Sequence, residues 1–302
     1  MKIAITGSTG LVGGELVKYF TSKGHSVSRF ARPSTNRDGF KEDLIEMDVT
    51  KGFIDLVKLD GHDVVINLAG ANIAGQRWTP SYKDEILKSR TCVTTILSEG
   101  ISRLDKPPKV FLSASAIGYY GPHSADCNVT ESDEAGSDFL ADVCNQWEKA
   151  TESAQKAGVR TILMRIGAVL SSKGGALSKM LPVFKLGGGG YLGNGRQMFS
   201  WIALDELPRV MNFLIESHWV SGPVNLVSPN PMTNAEFTKA MGKALNRPTV
   251  LPLPSFMAKL MFGEMADSLL LNGAKVLPKK LLDNGYGFQY PDIASALKVS
   301  LV

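Results

Sequence analysis

Three glycines near the start of the chain are spaced for gripping a diphosphate, in the run Gly7-Ser8-Thr9-Gly10-Leu11-Val12-Gly13. Gly7 permits a sharp exit from a strand, Gly10 lets backbone approach phosphate with no Cβ in the way, and Gly13 permits close helix–sheet packing. Amides in the first turn of the following helix, aided by its dipole, then face the anionic groups. The next strand bears on which dinucleotide is held. An NAD site usually carries an acid about 20 residues beyond the turn to bind ribose hydroxyls. Here the segment reads Ser28-Arg29-Phe30-Ala31-Arg32-Pro33-Ser34, and no acid follows before Asp38. An arginine suits a 2′-phosphate that a carboxylate would repel. Strand alternation favours Arg32, just past the strand end, over Arg29. The spacing therefore predicts NADP rather than NAD; the alternative reading of Arg32 is an ordinary solvated side chain.

Such a turn needs a strand before it and a helix after it, and the pattern supplies both. Lys2–Thr6 reads as a strand, Leu11–Ser22 as a helix ended by Gly24, and Ser26–Phe30 as a second strand. Further strands are expected at Leu44–Asp48, Asp63–Leu68, Lys109–Ser113 and Arg160–Arg165, with helices near 81–102 and over Phe139–Lys156. This β-α-β alternation predicts an α/β, Rossmann-type doubly wound parallel sheet. Residues 1–170 are read as the NADP-binding domain and 171–302 as a smaller substrate lobe partly interleaved with it. In that lobe the pattern suggests strands at Met198–Ile202 and Val224–Val227, and helices at Leu204–Glu216, Asn234–Leu245 and Phe256–Phe262. The four-glycine run Gly187–Gly190 is either a lid over a site or a tight connection.

Composition narrows the classes. The 33 basic and 29 acidic residues are interspersed and give a net charge of only +4, so no nucleic-acid footprint is indicated. Cys92, Cys127 and Cys144 are too widely spaced for a metal pattern and odd in number for a disulfide framework. The four histidines are scattered without i,i+4 pairing, so no metal site is expected. No secretion signal and no window of 18 uncharged apolar residues is visible, so a cytoplasmic protein away from the membrane is expected.

The motifs together resemble the extended short-chain dehydrogenase/reductase superfamily, the NAD-dependent epimerases and dehydratases. Within it, the chain is most similar to an atypical branch of epimerase family proteins. The resemblance rests on Gly70-Ala-Asn-Ile73 with Arg77-Trp78, Ser89-Arg90, Gly118-Tyr-Tyr-Gly121, Trp147-Glu148 and Arg165-Ile-Gly-Ala-Val-Leu170. It continues in Gly193-Asn-Gly-Arg-Gln197 and in the ending Pro278…Gly285-Tyr-Gly-Phe288…Pro291, which looks like the branch's own C-terminal extension. The resemblance implies that Asp48-Val49 contacts adenine and that the segment Asn67-Leu68-Ala69-Gly70 passes beneath the cofactor. Arg90, Ser113, Arg165 and Val169 are read as further cofactor contacts, Arg165 alternatively as strand support and Val169 alternatively as an ordinary core valine.

Ordinary members of that superfamily use a serine or threonine, a tyrosine, and a lysine four residues on that lowers the tyrosine pKa. Ser115 matches the serine. The expected helix reads Asp138-Phe-Leu-Ala-Asp-Val-Cys-Asn-Gln-Trp-Glu148, with neither tyrosine nor lysine. Tyr119 or Tyr120, assisted by Ser115, and Glu148 if desolvated, are the candidate replacements. Packing tyrosines and an ion-paired glutamate are the competing readings. Arg77, Trp78, Arg196 and Trp201 belong to segments expected to overhang the cleft, where arginine would hold an anion and tryptophan a ring. Two functions remain open: an NADP-dependent oxidoreductase or epimerase-like enzyme with a nonstandard acid, and a noncatalytic NADP(H)-sensing protein. Some relatives have been linked to division, which suits the second.

Overall fold

A computed structural model describes residues 1–32 and 44–301; Pro33, Ser34 and Asp38 lie outside the described residues. Its first strand, β1 (Lys2–Ile5), sends Ile3 and Ile5 to one face and Ala4 to the other, as a pleated strand must, and all three are fully buried. A strand covered on both faces belongs inside a sheet flanked by helices.

After β1 come α1 (Leu11–Ser22), β2 (Ser26–Ala31), β3 (Leu44–Asp48), β4 (Phe53–Ile54), α2 (Leu56–Leu59), β5 (Val64–Asn67), α3 (Pro80–Ile101) and β6 (Val110–Ala116). The chain continues through β7 (Asn128–Val129), α4 (Phe139–Lys149), α5 (Glu152–Lys156), β8 (Arg160–Ile166), β9 (Ala168–Leu170) and α6 (Gly175–Lys185). Next are β10 (Met198–Phe199), β11 (Trp201–Ala203), α7 (Leu207–Glu216) and β12 (Gly222–Leu226). The main sheet runs β12-β8-β6-β5-β1-β2-β3-β4, parallel throughout except for β4, which folds back antiparallel on β3. This is the α/β doubly wound architecture expected from the sequence. Strand order reverses between β1 and β5, and a crevice beyond their carboxyl ends follows from that topology.

The strand expected at Val224–Val227 is β12, and it belongs to the main sheet rather than to a separate lobe, pairing with β8 after α7 crosses over. The expected strand 198–202 is broken at Ser200. Its buried hydroxyl donates to the Ala274 carbonyl and accepts from the Val276 N–H, so β10 and β11 take different partners. The expected helix 139–156 breaks at Thr151, where backbone N–H and hydroxyl both bond to the Glu148 carbonyl and interrupt the i→i−4 ladder. Helix α6 had no sequence counterpart; its apolar residues Leu177, Leu181 and Phe184 face a core shared with Phe237 and Leu297.

Beyond β12, the chain forms β13 (Met232–Thr233), α8 (Asn234–Leu245), α9 (Ser255–Phe262), α10 (Glu264–Ala266), β14 (Lys275–Val276), α11 (Lys279–Asp283) and α12 (Ile293–Ser300). Thr233 and Glu236 form a reciprocal capping box at the start of α8. Among the described residues, no helix is long and apolar enough to cross a membrane.

Candidate functional site

The glycine turn lies at the carboxyl end of β1. Gly7 adopts φ +64°, and a Cβ there would meet the Leu68 carbonyl oxygen at 2.8 Å. A Cβ on Gly13 would lie 2.2 Å from the Gly7 carbonyl oxygen. At Gly10 a Cβ would come within 3.2 Å of the Gly7 carbonyl oxygen, a tight contact with backbone, so this position too favours glycine. Gly10 is also the N-cap of α1, and no side chain caps it. The helix therefore presents its first-turn amides and positive dipole end beside Ser8, Thr9, Leu11 and Val12. A Cβ-free cradle with backbone donors fits a diphosphate.

Arg32 is exposed immediately past β2. Asp48 ends β3, where its carboxylate accepts from the Thr50 hydroxyl at 2.7 Å and the Thr50 N–H at 3.0 Å; the hydroxyl bond is the main cause of its lowered pKa. Val49 beside it is 37% exposed, available to an apolar ring face. Leu68, Ala69 and Gly70 follow β5. Arg90 braces this stretch: its guanidinium donates to the Ile86 and Ala71 carbonyls, and its side chain crowds the position a Gly70 Cβ would take, at 3.2 Å. Arg90 lies 5.2 Å from the Trp147 ring centroid, and burial lowers its pKa.

Under the crevice, buried Asn67 accepts from the Thr6 hydroxyl at 2.7 Å and donates to Thr94 at 2.7 Å and Ser113 at 3.4 Å. Trp147 Nε1 also donates to Thr94, at 2.9 Å. Ser113 is thus turned to Asn67 and is 1% exposed; it supports the groove from within the sheet instead of lining it as expected. Asn67 and Trp147 stand in motifs of the family resemblance, but the bonds that join them to Thr94 carried no sequence signal, since the partners lie on other elements.

The second polar cluster forms where β6, α4 and β8 meet. Ser115 donates to Glu148 Oε1 at 2.7 Å. Arg165 grips both Glu148 oxygens, each at 2.9 Å, and donates to the Tyr120 hydroxyl at 3.0 Å. Its guanidinium carbon lies 3.4 Å from the Tyr119 ring centroid. Burial alone would lower the Arg165 pKa, but the Glu148 and Tyr120 contacts outweigh it and hold the pKa above the ordinary value. Arg165 is therefore a cationic anchor, and the expectation that it touches cofactor gives way to the support role. Glu148, 8% exposed, has both oxygens engaged by Arg165 and one of them also by Ser115, which is the ion-paired reading of this residue.

Tyr120 also departs from the expected proton donor. It is 1% exposed, its hydroxyl donates to Asn225 at 2.6 Å, and burial pushes its pKa up to about 12. Tyr119 is half-buried, and among the described residues its hydroxyl has no hydrogen-bond partner. On α4, Leu140 and Cys144 face the turn after β6: a Cβ on Gly118 would meet Leu140 Cβ at 3.3 Å and Cys144 Sγ at 3.8 Å. No hydroxyl or ammonium projects from that face.

Of the residues expected to overhang a cleft, Trp201 is 0% exposed and packs into the core around α6 and α8. It therefore cannot stack a ligand. Trp78 is also buried, with Nε1 bonded to the Ile73 carbonyl. Arg77 is exposed, packs beside Gly263, and remains able to reach an anion; Arg196 is exposed as well. Val169 is half-buried at the core edge, as is Leu11. A cavity of about 480 Å³ adjoins Tyr120 and is lined also by His123, Asp133 and Ser137. No residue of the glycine turn lines it, so the dinucleotide groove is a separate feature.

Residues 3–226 match the NAD dependent epimerase/dehydratase family, and residues 253–299 match a domain family of unknown function. An epimerase family protein of Mycobacterium tuberculosis is 42% identical over 98% of this chain and 96% of its own. A crystal structure of the human epimerase family protein SDR39U1 (isoform 2), solved with NADPH, is 32% identical with a TM-score of 0.88, covering 99% of both chains. A Thermus thermophilus UDP-glucose 4-epimerase structure, 14% identical with a TM-score of 0.75 over 100% of this chain and 98% of that one, shares the fold.

Proposed function

This chain belongs to the NAD dependent epimerase/dehydratase family, and from that premise we propose an NADP(H)-dependent oxidoreductase or nucleoside-diphosphate-sugar epimerase-like enzyme. It acts on a small, anionic metabolite and uses a proton donor other than the Tyr-x-x-x-Lys pair. The observation that carries the reading is the uncapped start of α1 beneath a cradle that admits no Cβ at Gly7 or Gly13. Backbone amides there hold the diphosphate, Arg32 pairs with the 2′-phosphate, and Asp48 and Val49 flank the adenine end. The NADPH bound by the human relative supports this choice. Bound cofactor supplies or accepts hydride.

Ser115 orients a reacting hydroxyl of the substrate by accepting from it, because its own proton is committed to a carboxylate that Arg165 fixes. Tyr119 exchanges the proton: it follows β6 directly and its ring lies on the Arg165 guanidinium. Arg77 meets an anionic group of the substrate.

Fluorescence titration with NADPH and NADH tests the cofactor; NADPH should bind at least about tenfold more tightly, and Arg32→Ala should remove the preference. Equal affinities would overturn the role of Arg32. Oxidation of NADPH is then screened with aldehydes and ketones, and nucleoside-diphosphate sugars are screened for epimerised product with oxidised cofactor, because epimerisation consumes no NADPH. Tyr119→Phe should lower kcat by about 100-fold or more, the contribution of a positioned acid, with NADPH affinity unchanged. Absence of turnover with every class favours the noncatalytic sensing protein, a reading supported by the lack of a Tyr-x-x-x-Lys pair on α4.

A further inference from the structure

Past Arg165 the hydrogen bonds continue into the C-terminal segment. A guanidinium only donates, so the Tyr120 hydroxyl accepts from Arg165 and must send its own proton elsewhere. It sends it to Asn225 Oδ1. With its carbonyl engaged, Asn225 turns its amide to the Leu277 carbonyl, donating at 3.0 Å. The charge on Arg165 thus fixes the direction of each bond from Ser115 to the main chain between β14 and α11. A second tie runs alongside. The buried Glu131 carboxylate accepts from the backbone N–H of Asn225 at 3.0 Å and of Lys280 at 3.2 Å. Meanwhile β14 pairs with β7, and the Ser200 hydroxyl bonds the Ala274 carbonyl just before it and the Val276 N–H within it. Tyr120, Glu131, Arg165 and Asn225 are all buried, so water does not loosen the chain of bonds.

We propose that the C-terminal arm of residues 274–280 is a positioning element for the candidate catalytic centre, joined to Ser115 through Asn225, Tyr120, Arg165 and Glu148. Asn225 is the positioning residue that connects the two. The arm lies within the segment that matches a domain family of unknown function, and this assigns it a task. The bearing on chemistry rests on the enzyme reading above, whereas the mechanical coupling does not. Loss of the Asn225 carbonyl frees the Tyr120 hydroxyl to rotate, which removes the fixed acceptor on one side of Arg165. The guanidinium then holds Glu148, and through it Ser115, less firmly.

The test is the exchange with water of the Arg165 Nε–H proton, followed by NMR in the full chain. The Arg160 guanidinium, bonded to carbonyls at the end of α7, is the internal reference. Asn225→Leu, Tyr120→Phe and Glu131→Ala should each speed Arg165 exchange by about tenfold or more, the factor for losing a hydrogen bond to a charged group. Arg160 should not change. Glu131→Ala removes the carboxylate that holds the Asn225 and Lys280 N–H groups while leaving the Asn225 and Tyr120 side chains unsubstituted, and Tyr120→Phe carries the test if Asn225→Leu does not fold. Arg165 exchange within about twofold of wild type in Glu131→Ala and Tyr120→Phe overturns the proposal, as does equal acceleration at Arg160. NADPH titration separates the two readings. If wild type binds no NADPH, the enzyme reading fails while the exchange result stands.

Discussion

A methyl group at Gly13 would lie 2.2 Å from the Gly7 carbonyl oxygen, with no flexible side chain to give way. Gly13→Ala must therefore push α1 off the glycine turn, and overpacking of this kind costs about 1–3 kcal/mol. The first-turn amides move with the helix. Fluorescence titration should show NADPH affinity reduced by at least about tenfold, and urea unfolding should show the lower stability. Unchanged NADPH binding in a folded Gly13→Ala protein would remove the turn from the cofactor site. This residue was legible in sequence because its job depends on spacing within seven positions and on a flanking strand and helix. Ser115 was legible by likeness alone. Its tie to Glu148 spans 33 residues, and the Arg165–Glu148 pair spans 17, so neither has a local signature. Trp201 shows the opposite failure: tryptophan suits stacking on a ligand and equally suits a core, and only packing distinguishes the two.

Among the elements, α4 has the most to position, since its buried face carries Leu140 and Cys144 toward Gly118 and, one to two turns on, Trp147 and Glu148. Asp138 is its N-cap, accepting from the Ala141 N–H at 2.8 Å. Asp138→Ala should cost about 1 kcal/mol, the usual value for a lost cap. Thermal unfolding measures that loss, and NADPH titration should be unaffected because α1 is untouched. A fall in NADPH affinity would mean that α4 bears on the cofactor groove directly. The alternation of elements through the first half was readable because each apolar run has the length and period of its own structure. The interruptions were not. Thr151 and Ser200 stop their elements with hydroxyls bonded to particular carbonyls, and a hydroxyl in a sequence does not declare its partner. The α6 helix escaped notice behind Gly174, Gly175 and Pro182, residues that ordinarily end helices.

Across the whole molecule, the C-terminal segment is fastened to the Rossmann body at a second place, by Glu206 at the entrance to α7. This carboxylate is 1% exposed and accepts from the Tyr286 hydroxyl at 2.6 Å, the Tyr290 N–H at 2.8 Å and the Gln289 N–H at 3.0 Å. A buried carboxylate stripped of one donor is costly, so Tyr286→Phe should destabilise the protein by about 1.5–3 kcal/mol near pH 8. The size of that effect should depend on pH in a defined direction. Burial first, and the Glu206 carboxylate second, push the Tyr286 pKa well above the ordinary value. In the unfolded chain the same phenol ionises near pH 10. A raised folded pKa contributes stability that is complete below the unfolded value and declines as pH rises past it. The gap between wild type and Tyr286→Phe should then shrink by about 1.4 kcal/mol per pH unit above pH 10, the other tyrosines cancelling in the comparison. Urea unfolding of both proteins at pH 8 and pH 11 measures it. A gap that stays constant would mean that Tyr286 ionises alike in both states, and Glu206 would then not be what fastens the end of the chain.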